Sequence, residues 1–229
     1  MEHTVRSFDA DLRSLSSRVA EMGSLAQAQV SGALGALERR DIVLAEQIIT
    51  ADNQIDAMHM EIEESAVQMI ARRQPLAIDL RQIVGALRIA SYLERVADLA
   101  KNIAKRATVL TGEFPIGAVM PRIQLMGRKV LAQLDEVLRS FEGRNAAAAL
   151  EVWRKDEEID ALNNSLSRDV LAYMAENPRS IAFCVHLLFC AKNIERMGDH
   201  ATNIAERVYY IVEGQEISGE RPKEDLRTA

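Results

Sequence analysis

Apolar residues recur at intervals of three and four along nearly the whole chain. The first run is Leu12, Leu15, Val19, Met22, Ala26, Val30, Leu34 and Leu37, a single stripe on a helix far longer than the usual length of about 11–12 residues. The pattern breaks at Arg39-Arg40-Asp41, Arg73-Gln74-Pro75, Thr111-Gly112-Glu113-Phe114-Pro115, Glu142-Gly143-Arg144-Asn145 and Glu176-Asn177-Pro178. Asp41 and Asn145 are suited to cap the helices that follow them. Asn177 before Pro178 predicts a cap with proline at the first helical position. The spacing therefore predicts six long helices, at about 7–38, 42–73, 79–110, 117–141, 145–175 and 179–213, and a polar, frayed tail from Gly214.

The two halves repeat one another. Glu94-Arg95-Val96-Ala97-Asp98 with Asn102-Ile103-Ala104 returns as Glu195-Arg196-Met197-Gly198-Asp199 with Asn203-Ile204-Ala205, at an offset of 101. Upstream, Asp52-Asn53-Gln54-Ile55-Asp56-Ala57 returns as Asp156-Glu157-Glu158-Ile159-Asp160-Ala161, at an offset of 104. An offset that changes only near a turn is what a duplicated three-helix unit shows. The expected architecture is all-α: two tandem three-helix bundles, one over 1–110 and one over 111–213, with the tail at 214–229.

Composition narrows the possibilities. With 11 Gly, 5 Pro and 4% aromatic residues, turns and strand formers are scarce. Lys+Arg 28 against Asp+Glu 34 leaves a net charge of −6, which argues against nucleic-acid binding, since phosphates call for a basic face. The start, MEHTVRSFDADLRSL, has no apolar signal core, and the most apolar stretch, Ile181 to Ala191, is too short to span a bilayer. A cytoplasmic protein is expected. Cys184 and Cys190 are six apart and point to different sides of a helix, so buried free thiols are expected rather than a disulfide.

The chemistry lies in acids that share a helical face with apolar residues. At about 100° per residue, Glu94 falls beside Ile83, Leu87 and Ala90, with Asp98 a small step away. Glu195 and Asp199 fall among Cys184, Leu188 and Ala191. Asp52 shares a stripe with Ala45, Ile48, Ile49, Ala66 and Ile70, Asp56 lies one turn on, and Asp156 and Asp160 sit among Ala149, Val152, Trp153 and Ile159. Each half thus presents two acid-x-x-x-acid pairs inward from different helices. Charges so placed must be protonated, paired with Lys or Arg, or neutralised by a bound cation. Lys101 and Lys192 lie near the seams and can snorkel in. A metal best explains why the same arrangement occurs twice, and oxygen donors favour Mg, Mn, Ca or iron. His59 is a possible extra ligand whose counterpart is Asn163. His186 and His200 read as surface or interhelical residues, His3 as part of a mobile start, and Asn102 and Asn203 as either second donors or packing amides.

At these residues the chain resembles the PhoU family of phosphate-signalling regulators. Asn177-Pro178-Arg179 and Glu195-Arg196-Met197-Gly198-Asp199-His200-Ala201-Thr202-Asn203-Ile204-Ala205-Glu206 are similar to that family's signature. Arg72-Arg73-Gln74-Pro75 with Asp79-Leu80-Arg81 is similar to the matching part of its first repeat. The resemblance implies tandem three-helix bundles and one multinuclear iron or zinc cluster per bundle. It carries the ligands onto Asp52, Asp56, Glu94 and Asp98, and onto Asp156, Asp160, Glu195 and Asp199. The first repeat departs from the fuller motif, with Val96-Ala97-Asp98-Leu99 where the second has Met197-Gly198-Asp199-His200.

The resemblance further implies a homodimeric regulator rather than an enzyme. It would restrain phosphate uptake and phosphate-starvation signalling through the ATPase subunit of a phosphate ABC transporter and a membrane sensor histidine kinase, reaching the membrane only through those partners. No P-loop or nucleophile-elbow motif speaks for catalysis. Two rivals stand beside this reading. A ferritin-like di-iron protein would need paired Glu-x-x-His motifs, and only Asp56-Ala57-Met58-His59 comes close. A metal-free structural adaptor would pair its acids with bases.

Overall fold

A computed structural model describes residues 2–110, 117, 119–155 and 157–219, with side chains from residue 8 onward. Helix α1 runs Glu2–Arg39, α2 Ile42–Arg73, α3 Ala77–Ala107 and α4 Val119–Glu142. After these come α5 at Ala146–Arg154, α6 at Glu157–Glu176, a 3-10 turn at Pro178–Ser180 and α7 at Ile181–Glu213. Among the described residues there is no strand. The six predicted helices are present within a few residues of their expected ends, except that the fifth is two pieces, α5 and α6, broken at Lys155.

The capping residues explain several boundaries. Asp41 accepts a hydrogen bond from the Leu44 N–H at 2.9 Å, and Asn145 from the Ala148 N–H at 3.0 Å, as their sequence positions predict. Asn177 behaves differently. It makes no side-chain cap to the turn that follows, and its Nδ2 instead donates to the Tyr173 carbonyl at 3.1 Å, closing the end of α6. Pro121 lies in the first turn of α4, where a missing N–H leaves no intrahelical bond unmade.

Helices α1, α2 and α3 pack on one another, as do α4, α5, α6 and α7. The two groups then join through α1 against α4 and α3 against α7, under one continuous core. Helices α3 and α7 pack directly on each other, from Gly85 beside Ile211 at one end to Arg106 beside His186 at the other. Gly85 and Gly127 are needed at such approaches, since a Cβ at Gly85 would overlap Ile211 and one at Gly127 would overlap Leu34. Polar ties cross the same junction. Gln124 Nε2 donates to the Leu34 carbonyl at 3.0 Å, Arg144 Nη2 to Gln82 Oε1 at 2.6 Å, and Tyr92 stacks on His200 with centroids 5.8 Å apart. Arg106 reaches His186 Nδ1 at 3.4 Å and lies over the Phe189 ring. His186 and His200 are therefore interhelical residues, as the wheel predicts.

The bundle boundary expected at 110/111 opens onto 111–116, which lie outside the described residues, as does the tail from 220 onward. Cys184 and Cys190 are buried free thiols. Burial pushes the Cys190 thiol up to about 12 despite the nearby Arg106 charge, and raises Cys184 as well.

Gln74, exposed after α2, holds a left-handed conformation at φ 48° while its N–H bonds the Ile70 carbonyl at 3.1 Å. Glycine adopts that geometry without the side-chain clash, so Gln74→Gly should stabilise the chain by about 0.5–1 kcal/mol in urea unfolding.

Candidate functional site

The described acids lie along two seams, on α2 and α3 in the first bundle and on α6 and α7 in the second. They lie mostly at the margin of the apolar stripes rather than in their middle, which corrects the sequence expectation. Asp52 alone is fully inside, at 2% exposure, whereas Asp56, Glu94, Asp98, Asp160, Glu195 and Asp199 are half-buried. The centre of the α3 stripe belongs to Leu93, Val96, Ala97 and Ala100, and the acids take the flank facing α2 or solvent. Apolar periodicity gives the mean direction of a face, not its edges, so a wheel cannot separate these cases.

In the first seam, Asp52 on α2 receives two donors. Gln29 Nε2 on α1 donates to its Oδ1 at 3.1 Å and to the Ile48 carbonyl at 3.2 Å. Lys101 on α3 pairs its ammonium with Asp52 Oδ2 and, at 2.6 Å, with Asp98 Oδ1. One lysine thus bridges two helices and shares its single positive charge between two of the four acids. Burial disfavours the charge on Lys101, but its hydrogen bonds to Asp52 and Asp98 outweigh that and hold its pKa well above the ordinary 10.5. Glu94 carries a raised pKa, first from burial and then from Asp98 and Asp56. Arg95, 3.5 Å away, and His59 act the other way. These influences place Asp56, His59 and Asp98 within electrostatic reach of Glu94, between α2 and α3.

The second seam is built differently. Lys192 reaches Glu195 Oε1 at 2.7 Å from one turn upstream, with its own side chain more than half exposed. Glu195 Oε2 is buried without a hydrogen-bond partner from the protein, and so are Gln133 Oε1 and Asn163 Oδ1. Asp160 and Asp199 are half-buried, and Asp156 lies outside the described residues. Where the first repeat has Lys101, the second has Thr202, whose Oγ1 donates to the Gly198 carbonyl at 3.2 Å.

Among the described residues, no three His, Cys, Asp or Glu side chains are arranged to hold a metal ion. The seams nevertheless differ in how well they fit one. In the first, the oxygens a cation would take are on Lys101. In the second, Glu195 Oε2 is left without a protein donor, and a carboxylate oxygen is the kind of ligand a hard cation takes.

Sequence reading missed Gln29 and Gln133. Both are buried on the first helix of their bundle, their Nε2 groups serving Asp52 and the Lys155 carbonyl respectively. They stand 104 residues apart, the offset of Asp52 and Asp156, and each replaces an apolar residue on its stripe. That shared offset was the available signal. Trp153 Nε1, which donates to Glu206 Oε1 at 3.2 Å, also ties the signature on α7 to α5.

Lys101→Met leaves Asp52 buried beside an uncompensated charge and should destabilise the chain by about 3 kcal/mol in denaturant unfolding. Adding Asp52→Asn should recover much of that loss. Because the folded pKa of Lys101 is raised, its contribution is fully present below about pH 10 and fades only as pH climbs towards the folded value. Wild-type and Lys101→Met curves should therefore stay parallel from pH 7 to 9.

Comparison with known proteins agrees with this fold. The PhoU domain model matches the chain twice, at residues 19–107 and 123–208. A phosphate-specific transport system accessory protein PhoU homolog from Caulobacter vibrioides is 44% identical over 225 residues, covering 98% of both chains. One from Rhizobium meliloti is 46% identical over 224 residues, covering 98% of this chain and 94% of the relative. The crystal structure of PhoU from Pseudomonas aeruginosa superposes with a TM-score of 0.87 at 37% identity, over 91% of this chain and 100% of that one. The phosphate transport system regulatory protein PhoU from Streptococcus pneumoniae gives 0.86 at 29% identity, over 92% and 99%. A duplicated domain match, full-length relatives and two superposable folds lead to one conclusion: this chain belongs to the PhoU family.

Proposed function

We propose that this chain is a non-catalytic regulator of phosphate supply, acting on a phosphate ABC transporter through its ATPase subunit and on a phosphate-sensing histidine kinase. The observation that carries the reading is end-to-end similarity to relatives named as accessory proteins of phosphate-specific transport. Among the described residues no helix is long and apolar enough to cross a membrane, which accords with a cytoplasmic chain that meets the membrane through its partners. Large apolar side chains left exposed on rigid helices suit docking by another protein. Leu76, at 81% exposure, stands with Ile78, Leu80 and Val84 at the corner between α2 and α3. Leu171 and Phe189 are exposed on α6 and α7 beside a groove of about 420 Å³ that Asn163 and Lys192 also line. Homodimers, as the family likeness implies, would cover part of this surface.

Metal binding belongs to the same proposal, at the second seam. Asp160, Glu195 and Asp199, with Asp156, would hold an iron or zinc cluster or a Mg or Mn ion, which would supply positive charge to bind the helices together. Glu195 Oε2, buried and unpartnered, supports that placement. A metal-free adaptor is favoured in the first bundle by the Lys101 bridge. The di-iron oxidase reading gains no support, because His59 has only Asn163 as its counterpart.

Purified chain should capture the transporter ATPase subunit, and deletion of the gene should raise phosphate uptake and switch on a phosphate-starvation reporter in phosphate-rich medium. Unchanged uptake and reporter signal would remove the regulatory reading. Chain purified without chelator should carry metal that Glu195→Gln with Asp199→Asn removes, as read by elemental analysis.

A further inference from the structure

The repeat makes the two seams look equivalent, and the side chains make them unequal. Lys101 Nζ touches Asp52 of α2 and Asp98 of α3 from a side chain only 21% exposed. Its counterpart at the 101 offset is Thr202, which carries no charge and turns its hydroxyl to its own helix. Lys192 does not perform the same task. It lies on the solvent side of Glu195, and its counterpart in the first half is Ser91.

We propose that Lys101 is the resident cation of the first seam, so that Asp52 and Asp98 are held by an ammonium and the first bundle excludes the metal that its repeat partner is built to take. The argument is one of competition. A divalent ion needs carboxylate lone pairs at about 2.0–2.6 Å, and two of the oxygens placed to offer them already accept hydrogen bonds from Lys101. A metal added there would stand beside a positive charge in a partly buried site, where charges of like sign repel strongly. Lys101 is held by both acids at once, since it lies three residues from Asp98 on the same face of α3 and also reaches Asp52 on α2. Gln29 strengthens the arrangement by occupying the other Asp52 oxygen. The first bundle is then a scaffold bridged by its own lysine, and any metal response of the chain resides in the second. This rests on the proposed metal reading for the second seam only.

Zinc serves as the probe, with binding measured by equilibrium dialysis and elemental analysis on the full-length chain. The background variant Asp160→Asn/Glu195→Gln/Asp199→Asn reports on the first seam alone. With Lys101 intact it should bind no zinc. Adding Lys101→Thr, the residue of the other repeat, should create binding on the order of a hundredfold tighter than background, with a zinc-dependent rise in melting temperature. Zinc retained by the background variant while Lys101 is present would overturn the inference, as would a Lys101→Thr chain that stays metal-free. Wild type without zinc, alongside a Lys101→Thr chain that binds it, would support this inference and sink the metal reading of the second seam instead. Should Lys101→Thr fold poorly, the reverse exchange Thr202→Lys in the wild-type chain decides: it should expel zinc from the second seam, and undiminished zinc would count against the idea.

Discussion

A carboxylate inside a helical core is the constraint around which this molecule is arranged. Asp52 is as buried as Ile55 beside it, and an unpaired charge there would cost several kcal/mol. It persists because each of its oxygens accepts a hydrogen bond, one from Gln29 and one from Lys101. Those donors come from α1 and α3, so satisfying a single side chain on α2 draws all three helices of the first bundle to a common point. Packing of apolar stripes alone tolerates sliding and rotation. A fully satisfied polar cluster does not, and it specifies one register.

The same logic holds at the level of the two bundles. Each could bury its own seam, yet they share one core, in which α3 packs directly on α7 and Gly85 leaves room for Ile211. The interface is also where aromatic and cationic side chains meet, through Tyr92 on His200 and Arg106 on His186 and Phe189. The helices that carry the acids, α3 and α7, are thus also the helices that join the halves.

Duplication gives two copies of a scaffold without obliging them to keep the same chemistry. Here the acids persist in both halves, while the residue that answers them has diverged: Lys101 in one, Thr202 in the other. A lysine is a fixed part of the chain, present at all times. A cation from solution comes and goes with its concentration and with the protonation of its ligands. Both oxygens of Asp52 accept a donor from the chain, whereas Glu195 Oε2 in the other half has none.

Much of this was legible in the sequence. Intervals of three and four gave helices and their ends, Asp41 and Asn145 gave caps, and the offsets of 101 and 104 gave the duplication, because these are local or periodic properties that a linear pattern carries. The acid pairs were visible for the same reason, and so was the nearness of Lys101 to the seam. Other features came only with tertiary structure. Which acids are sealed and which lie at the edge, where Lys101 directs its ammonium, and that Gln29 completes Asp52 depend on how three helices rotate about their axes. So does the closing of α6 by Asn177 instead of the capping of the next turn. Rotation is fixed by the fit of all facing side chains at once, a sum over partners distant in the chain, and no single stripe contains it.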